Sequence, residues 1–90
     1  MIIIWRKIIL NKMLVKLSTI ENAKEFCEIV SSEQYRDVDI DLSCGRYVID
    51  AKSILGILSM DITKKMTVTF HGDGFQRRKE FFEKLNKWKI

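Results

Sequence analysis

Proline is absent from this 90-residue sequence, histidine occurs once and cysteine twice. Two cysteines, Cys27 and Cys44, are too few for a disulfide framework and show no metal-ligand spacing. Reduced thiols are expected, with Cys27 in the core and Cys44 exposed near a turn. The one histidine, His71, has no cysteine or carboxylate that sequence alone places beside it, so no chemistry is assigned to it. Long apolar runs are also missing. Met1 to Leu10 is the most apolar stretch, but Arg6 and Lys7 interrupt it well short of the roughly 20 residues that cross a bilayer. It lacks the continuous apolar centre and small-residue cleavage site of a secretory signal. No membrane association is expected, and a cytoplasmic location follows. Nor is there a repeat or a low-complexity segment, and this length holds one domain with one core.

What is present is a mixture of charges, unevenly placed. Residues 1–16 carry four cations and no anion, residues 17–61 four cations against nine anions, and residues 62–90 eight cations against three. Basic ends invite a nucleic-acid reading. However, Arg77, Arg78, Lys79, Lys84, Lys87 and Lys89 are interleaved with Glu80 and Glu83, the pattern of a solvated helix face. Nucleic acid is therefore disfavoured as a partner.

The apolar periodicity alternates between strand and helix. Met13–Leu17 reads as a first strand, with Val15 and Leu17 on one face. Ile20, Ala23, Phe26, Cys27 and Val30 then fall at helical spacing behind Ser18 and Thr19, leaving Glu21, Asn22, Glu25 and Glu28 outside. Val38, Ile40 and Leu42 alternate with Asp37, Asp39 and Asp41, which predicts a strand with one wet face. The aspartates resemble a calcium loop only superficially, because Leu42 stands where the loop needs glycine and Val48 where it needs glutamate. On a strand they would discourage edge-to-edge association. Ser43-Cys44-Gly45 turns the chain into Tyr47-Val48-Ile49 as a hairpin, and Met66–Phe70 is a further strand. Phe75, Phe81, Phe82, Leu85 and Trp88 form the stripe of a closing helix. The order is strand, helix, strand, strand, helix, strand, helix, which suits an α+β fold of four antiparallel strands covered by three helices. Residues 1–12, preceding Met13, read as an extension or a misassigned start, with 13–90 as the domain.

The middle helix carries the most specific signal. Ser53 stands directly before Ile54, Leu55, Ile57, Leu58 and Met60, as an N-cap does. Such a short helix is apolar on more than its core face, so part of that surface stays outside.

Ala51-Lys52-Ser53-Ile54-Leu55-Gly56-Ile57-Leu58-Ser59-Met60 resembles the second helix of HPr, the phosphocarrier family of the bacterial sugar phosphotransferase system. The resemblance extends over Met13 to Trp88, with its specific part in Tyr47 to Phe70, and implies the HPr-like open-faced sandwich. It also implies that Ser53 is a regulatory phosphorylation site and that Ile54, Leu55 and Leu58 dock partner proteins. In the family, a Gly-Leu-His-x-Arg-Pro motif opens the first helix. With Phe26 aligned to the family's aromatic residue, Thr19 takes the place of the acceptor histidine, Glu21 that of the arginine and Asn22 that of the proline. A threonine phosphate ester is too stable for a relay, and Glu21 opposes an incoming phosphate by like charge.

These residues lead to an expectation of a regulatory or interaction module similar to the catabolite-repression branch of the family, without histidine carrier activity. It would be no enzyme and would need no cofactor or metal. Expected partners are proteins: phosphotransferase-system components, a serine kinase or a transcriptional regulator. Two other readings stand beside it, an active carrier with an unrecognised acceptor and a basic structural or nucleic-acid-associated domain.

Overall fold

Alternation along one strand decides which side of the sheet is dry. Val38, Ile40 and Leu42 are buried, while Asp37 and Asp39 are exposed and Asp41 is half-buried. The computed structural model describes residues 11–90, in the order β1 (Lys12–Val15), α1 (Ile20–Val30), β2 (Asp39–Cys44), β3 (Tyr47–Asp50), α2 (Ile54–Leu58), β4 (Met66–His71) and α3 (Phe75–Lys84). Single 3-10 turns follow at Glu33–Tyr35 and Asn86–Trp88. The four strands form one antiparallel sheet in the order β1-β4-β2-β3. This is the expected α+β arrangement, with three helices on one face.

Register follows from the pleat. Ile40 lies opposite Phe70 and Leu42 opposite Val68, all on the inner face. They meet Ala23, Phe26 and Val30 of α1, Ile57 of α2 and Phe81 of α3 in one apolar cluster. Tyr35 and Phe70 pack against Phe81 with ring centroids 5.0 Å away in each case. The Tyr35–Phe81 pair is edge-to-face and the Phe70–Phe81 pair tilted, and such aromatic packing adds to simple area burial. Between β2 and β3, Gly45 has φ +60 and is followed directly by Arg46 and Tyr47, the pattern of a two-residue type II′ hairpin turn. Gly72 has a different requirement, since a Cβ there would lie 2.6 Å from Phe70 Cε1.

Several expectations need correction. The first strand runs from Lys12 to Val15, not from Met13 to Leu17, and Leu17 is buried beyond its end. Lys12 pairs with Thr69, and the Asn11 carbonyl accepts from Phe70 N–H at 2.9 Å, so the sheet begins just inside the expected extension. The rest of that extension, residues 1–10, lies outside the described residues. Ile20, expected in the core, is 54% exposed because the first residue of α1 overhangs the buried part of the sheet. Cys27 and Cys44 are both half-buried. Arg78, expected on a wet face, is only 7% exposed. The β2 aspartates do not guard an edge, because β2 has β4 on one side and β3 on the other.

Two polar ties hold the loop before β2. The Lys52 ammonium donates to the carbonyls of Val38 at 2.6 Å, Tyr35 at 2.8 Å and Arg36 at 3.4 Å, gathering the 35–38 turn beneath the entrance to α2. Arg77 of α3 reaches the same loop, donating to the Gln34 carbonyl at 2.6 Å and to the Asp37 carboxylate. That hydrogen bond from Arg77 holds the Asp37 carboxyl below its ordinary value of 3.8.

Replacing Lys52 with methionine keeps most of the stem but leaves those carbonyls without the cation. Lys52→Met is expected to lower the unfolding free energy by about 1–2 kcal/mol, read as a lower urea midpoint at unchanged slope. The Asp37 pair sets a pH dependence. A depressed carboxyl contributes stability that is complete above 3.8 and is lost as the pH falls through the lower folded value. In acid titrations followed by circular dichroism, Asp37→Asn is expected to lose less stability than the parent below pH 3.8 and to run parallel to it above.

Candidate functional site

The chain enters α2 through a short series of local bonds. Ser53 N–H donates to the Asp50 carbonyl at 2.9 Å, and Lys52 N–H donates to the Asp50 carboxylate at 2.9 Å. Ser53 itself is extended, with φ −99 and ψ 105, and its Oγ accepts from Gly56 N–H at 3.1 Å. It is the expected N-cap. A β-carbon on Gly56 would stand 3.2 Å from Ser53 Oγ, so the glycine leaves the cap uncrowded. The N–H groups of Ile54 and Leu55 find no acceptor among the described residues, as the first amides of a helix ordinarily do not. Ser53 is exposed, with these donors beside its hydroxyl.

The three expected docking residues differ in access. Leu55 is 80% exposed and Leu58 40%, whereas Ile54 is half-buried and Ile57 is the core anchor of α2. Ile54 lines a shallow cleft of about 250 Å³ with Lys24, Cys27, Glu28 and Ser31 of the neighbouring helix region. Cys27 Sγ donates to the Lys52 carbonyl at 3.5 Å and ties α1 to the residue preceding the cap. An aliphatic ridge therefore stands directly behind an accessible serine.

At the beginning of α1 a different structure occurs. Thr19 is the N-cap, and its Oγ1 accepts from Asn22 N–H at 3.1 Å. The Asn22 side chain donates to the Leu17 carbonyl at 2.8 Å, so Asn22 is half-buried rather than outside. Ser18 has φ +73, and Thr19 N–H donates across it to the Leu17 carbonyl at 2.9 Å, a γ-turn in the disfavoured left-handed region. Glu21 is exposed in the first turn of the helix. The structure brings Ser53 together with Ile54, Leu55 and Leu58, but it does not bring them to Thr19. Ile54 lies against the Lys24 to Ser31 half of α1, while Ser18 N–H donates to the Ile62 carbonyl beyond α2. Ser53 therefore follows a residue tied to the middle of α1 at Cys27, about two helical turns beyond the Thr19 cap.

His71 is not isolated. Its Nε2 lies 2.7 Å from Asp41 Oδ2 on the uncovered face of the sheet, with Asp39 directly opposite across the strands. Sequence reasoning could not find this pair, because it depends on the β2–β4 register. It also missed Lys52, whose backbone partners leave no side-chain signature. Among the described residues, no cluster of histidine, cysteine and carboxylate has a metal-binding arrangement, and no helix is long and apolar enough to cross a membrane.

Comparison with known proteins agrees with this geometry. Residues 20–88 match the family model described as the PTS HPr component phosphorylation site. No curated protein matches the chain. The matched segment runs from the first residue of α1 through Trp88, taking in α2 and its cap, all four elements of the β2–β3–α2–β4 run and α3. It spans well over half of the chain, which therefore belongs to the HPr family of the phosphotransferase system.

Proposed function

We propose that this HPr-family chain acts as a regulatory docking module, with Ser53 as its phosphorylation site and Leu55 and Leu58, backed by Ile54, as its partner-binding surface. The observation that carries this reading is the pairing of an exposed capping serine with an 80% exposed leucine on the same short helix. Burial does not explain Leu55, whereas a partner that covers it would. A phosphate on Ser53 would add about −1.5 to −2 charges beside the ridge. It would then repel a partner that buries the leucines or attract one that offers arginine.

Histidine carrier activity is absent from this reading. Thr19 occupies the acceptor position under the family alignment, and its hydroxyl is engaged as a helix cap. Glu21 would face the incoming phosphate where the family has arginine, and like charge raises the cost of that approach. His71 is poorly placed as a substitute acceptor, since Asp41 and Asp39 surround it with the wrong sign of charge. The partners are proteins of the phosphotransferase system, a serine kinase or a transcriptional regulator, in a cytoplasmic setting.

Incubation with enzyme I and phosphoenolpyruvate is expected to give no acid-labile phosphate by mass spectrometry. Thr19→His alone is expected to remain unphosphorylated, with Glu21→Arg needed as well. Acid-labile phosphate on the parent chain would overturn the loss of carrier function.

The docking surface has its own test. Ser53→Ala, Ser53→Asp and Leu55→Ala are expected to remain folded, with Leu55→Ala losing partners in pull-downs and Ser53→Asp changing which are retained. If all three keep the partners of the parent chain, Ser53 is a cap and nothing more.

A further inference from the structure

The side of the molecule formed by β1 and α3 carries a groove that plays no part in the docking reading. Its volume is about 860 Å³, and Met13, Leu14, Phe75, Phe82 and Ile90 supply apolar walls. Sites for small molecules commonly fall between roughly 300 and 1,000 Å³ and combine such walls with a few polar groups. Leu14, Phe75 and Ile90 are each more than half exposed. No residue of α2 lines this groove.

Charge gives the groove a direction. Lys12, Arg78, Lys79 and Lys89 line it against a single acidic side chain, Glu83. Arg78 is the informative member, being only 7% exposed. Among the described residues the ion pairs of lysine and arginine are Arg36 with Glu33, Arg77 with Asp37 and Lys87 with Glu25, and none uses Arg78. Its guanidinium makes no side-chain hydrogen bond among these residues and lies 5.9 Å from the centroid of the Phe75 ring. A cation removed from water without a counter-charge is costly. An anion entering the groove would offset that cost and could form the two-pronged contact that guanidinium offers a carboxylate.

We propose that this groove binds a free medium-chain fatty acid, its carboxylate at Arg78 and its chain along Met13, Leu14 and Phe82. The apolar walls suit a hydrocarbon body, and the excess of cationic over acidic side chains suits an anionic head. Other occupants match less well. Residues 1–10 bring Arg6 and Lys7 and no anion, a second copy would bring the same positive surface, and a nucleic acid would leave the apolar walls unused.

Titration of the full chain with dodecanoate below its micelle concentration tests this, followed by the methyl resonances of Met13, Leu14 and Ile90. Saturable shifts are expected, with dodecanol binding more weakly because it lacks the charge. Arg78→Met is expected to weaken binding about tenfold or more, and the exposed Lys89→Glu to weaken it by less, which keeps the test informative if the Arg78 variant folds poorly. The proposal is overturned if no saturable shift appears, if dodecanol binds as well, or if both variants bind like the parent. It is also overturned if nuclear Overhauser contacts join the Trp5 ring to these methyls in the ligand-free chain, assigning the groove to residues 1–10. Binding to phosphatidylglycerol vesicles but not to dissolved dodecanoate would assign it to a membrane and overturn it equally.

Discussion

One ammonium group joins the two halves of the candidate site's support. Lys52 lies between β3 and α2, and its ammonium is hydrogen-bonded by three carbonyls of the 35–38 turn, with the Asp37 carboxylate near enough to interact with its charge. Such a cation cannot shift without releasing several backbone groups at once. The turn that enters β2 is therefore tied to the residue that precedes Ser53. Asp50 reinforces this from the other side by accepting from both Lys52 N–H and Ser53 N–H. A helix of only five residues has little stability of its own. The rigidity of α2 comes from these ties and from Ile57 in the core.

How far the sequence foretold this depends on the range of each interaction. The dry face of β2 was legible because side chains on a strand alternate strictly, and Val38, Ile40 and Leu42 follow that rule. The Ser53 cap was legible because capping is local, completed by Gly56 three residues on. Ile20 misled because helical spacing identifies a face but not how far the neighbouring sheet extends beneath it. Arg78 misled for a related reason: charge predicts solvent unless the tertiary fold brings apolar surface over the stem. The His71–Asp41 pair required the strand register, which no local pattern specifies.

Membership of the HPr family puts these features into a common frame without making them uniform. The beginnings of α1 and α2 are capped by separate sets of hydrogen bonds. At α1, the capping bond of Thr19, the half-buried amide of Asn22 and the left-handed Ser18 form a local hydrogen-bonded turn. At α2, the donors beside Ser53 are open to solvent and the leucines are uncovered. Under the proposed function, chemistry at the first site has given way to recognition at the second.

The order of the sheet also bears on how the chain reaches its native state. β1 is the earliest described strand, yet it pairs with β4 on one side. On its other side, Lys16 N–H donates to the Trp88 carbonyl and Ile90 N–H to the Leu14 carbonyl. Every hydrogen-bonding neighbour of β1 is therefore synthesised near the end of the described segment. During translation, residues 12–15 emerge long before these described partners, whereas β2 and β3 are joined by a two-residue turn and can pair locally. Closing the sheet at its first strand therefore requires contacts between distant parts of the chain, the kind that slows folding.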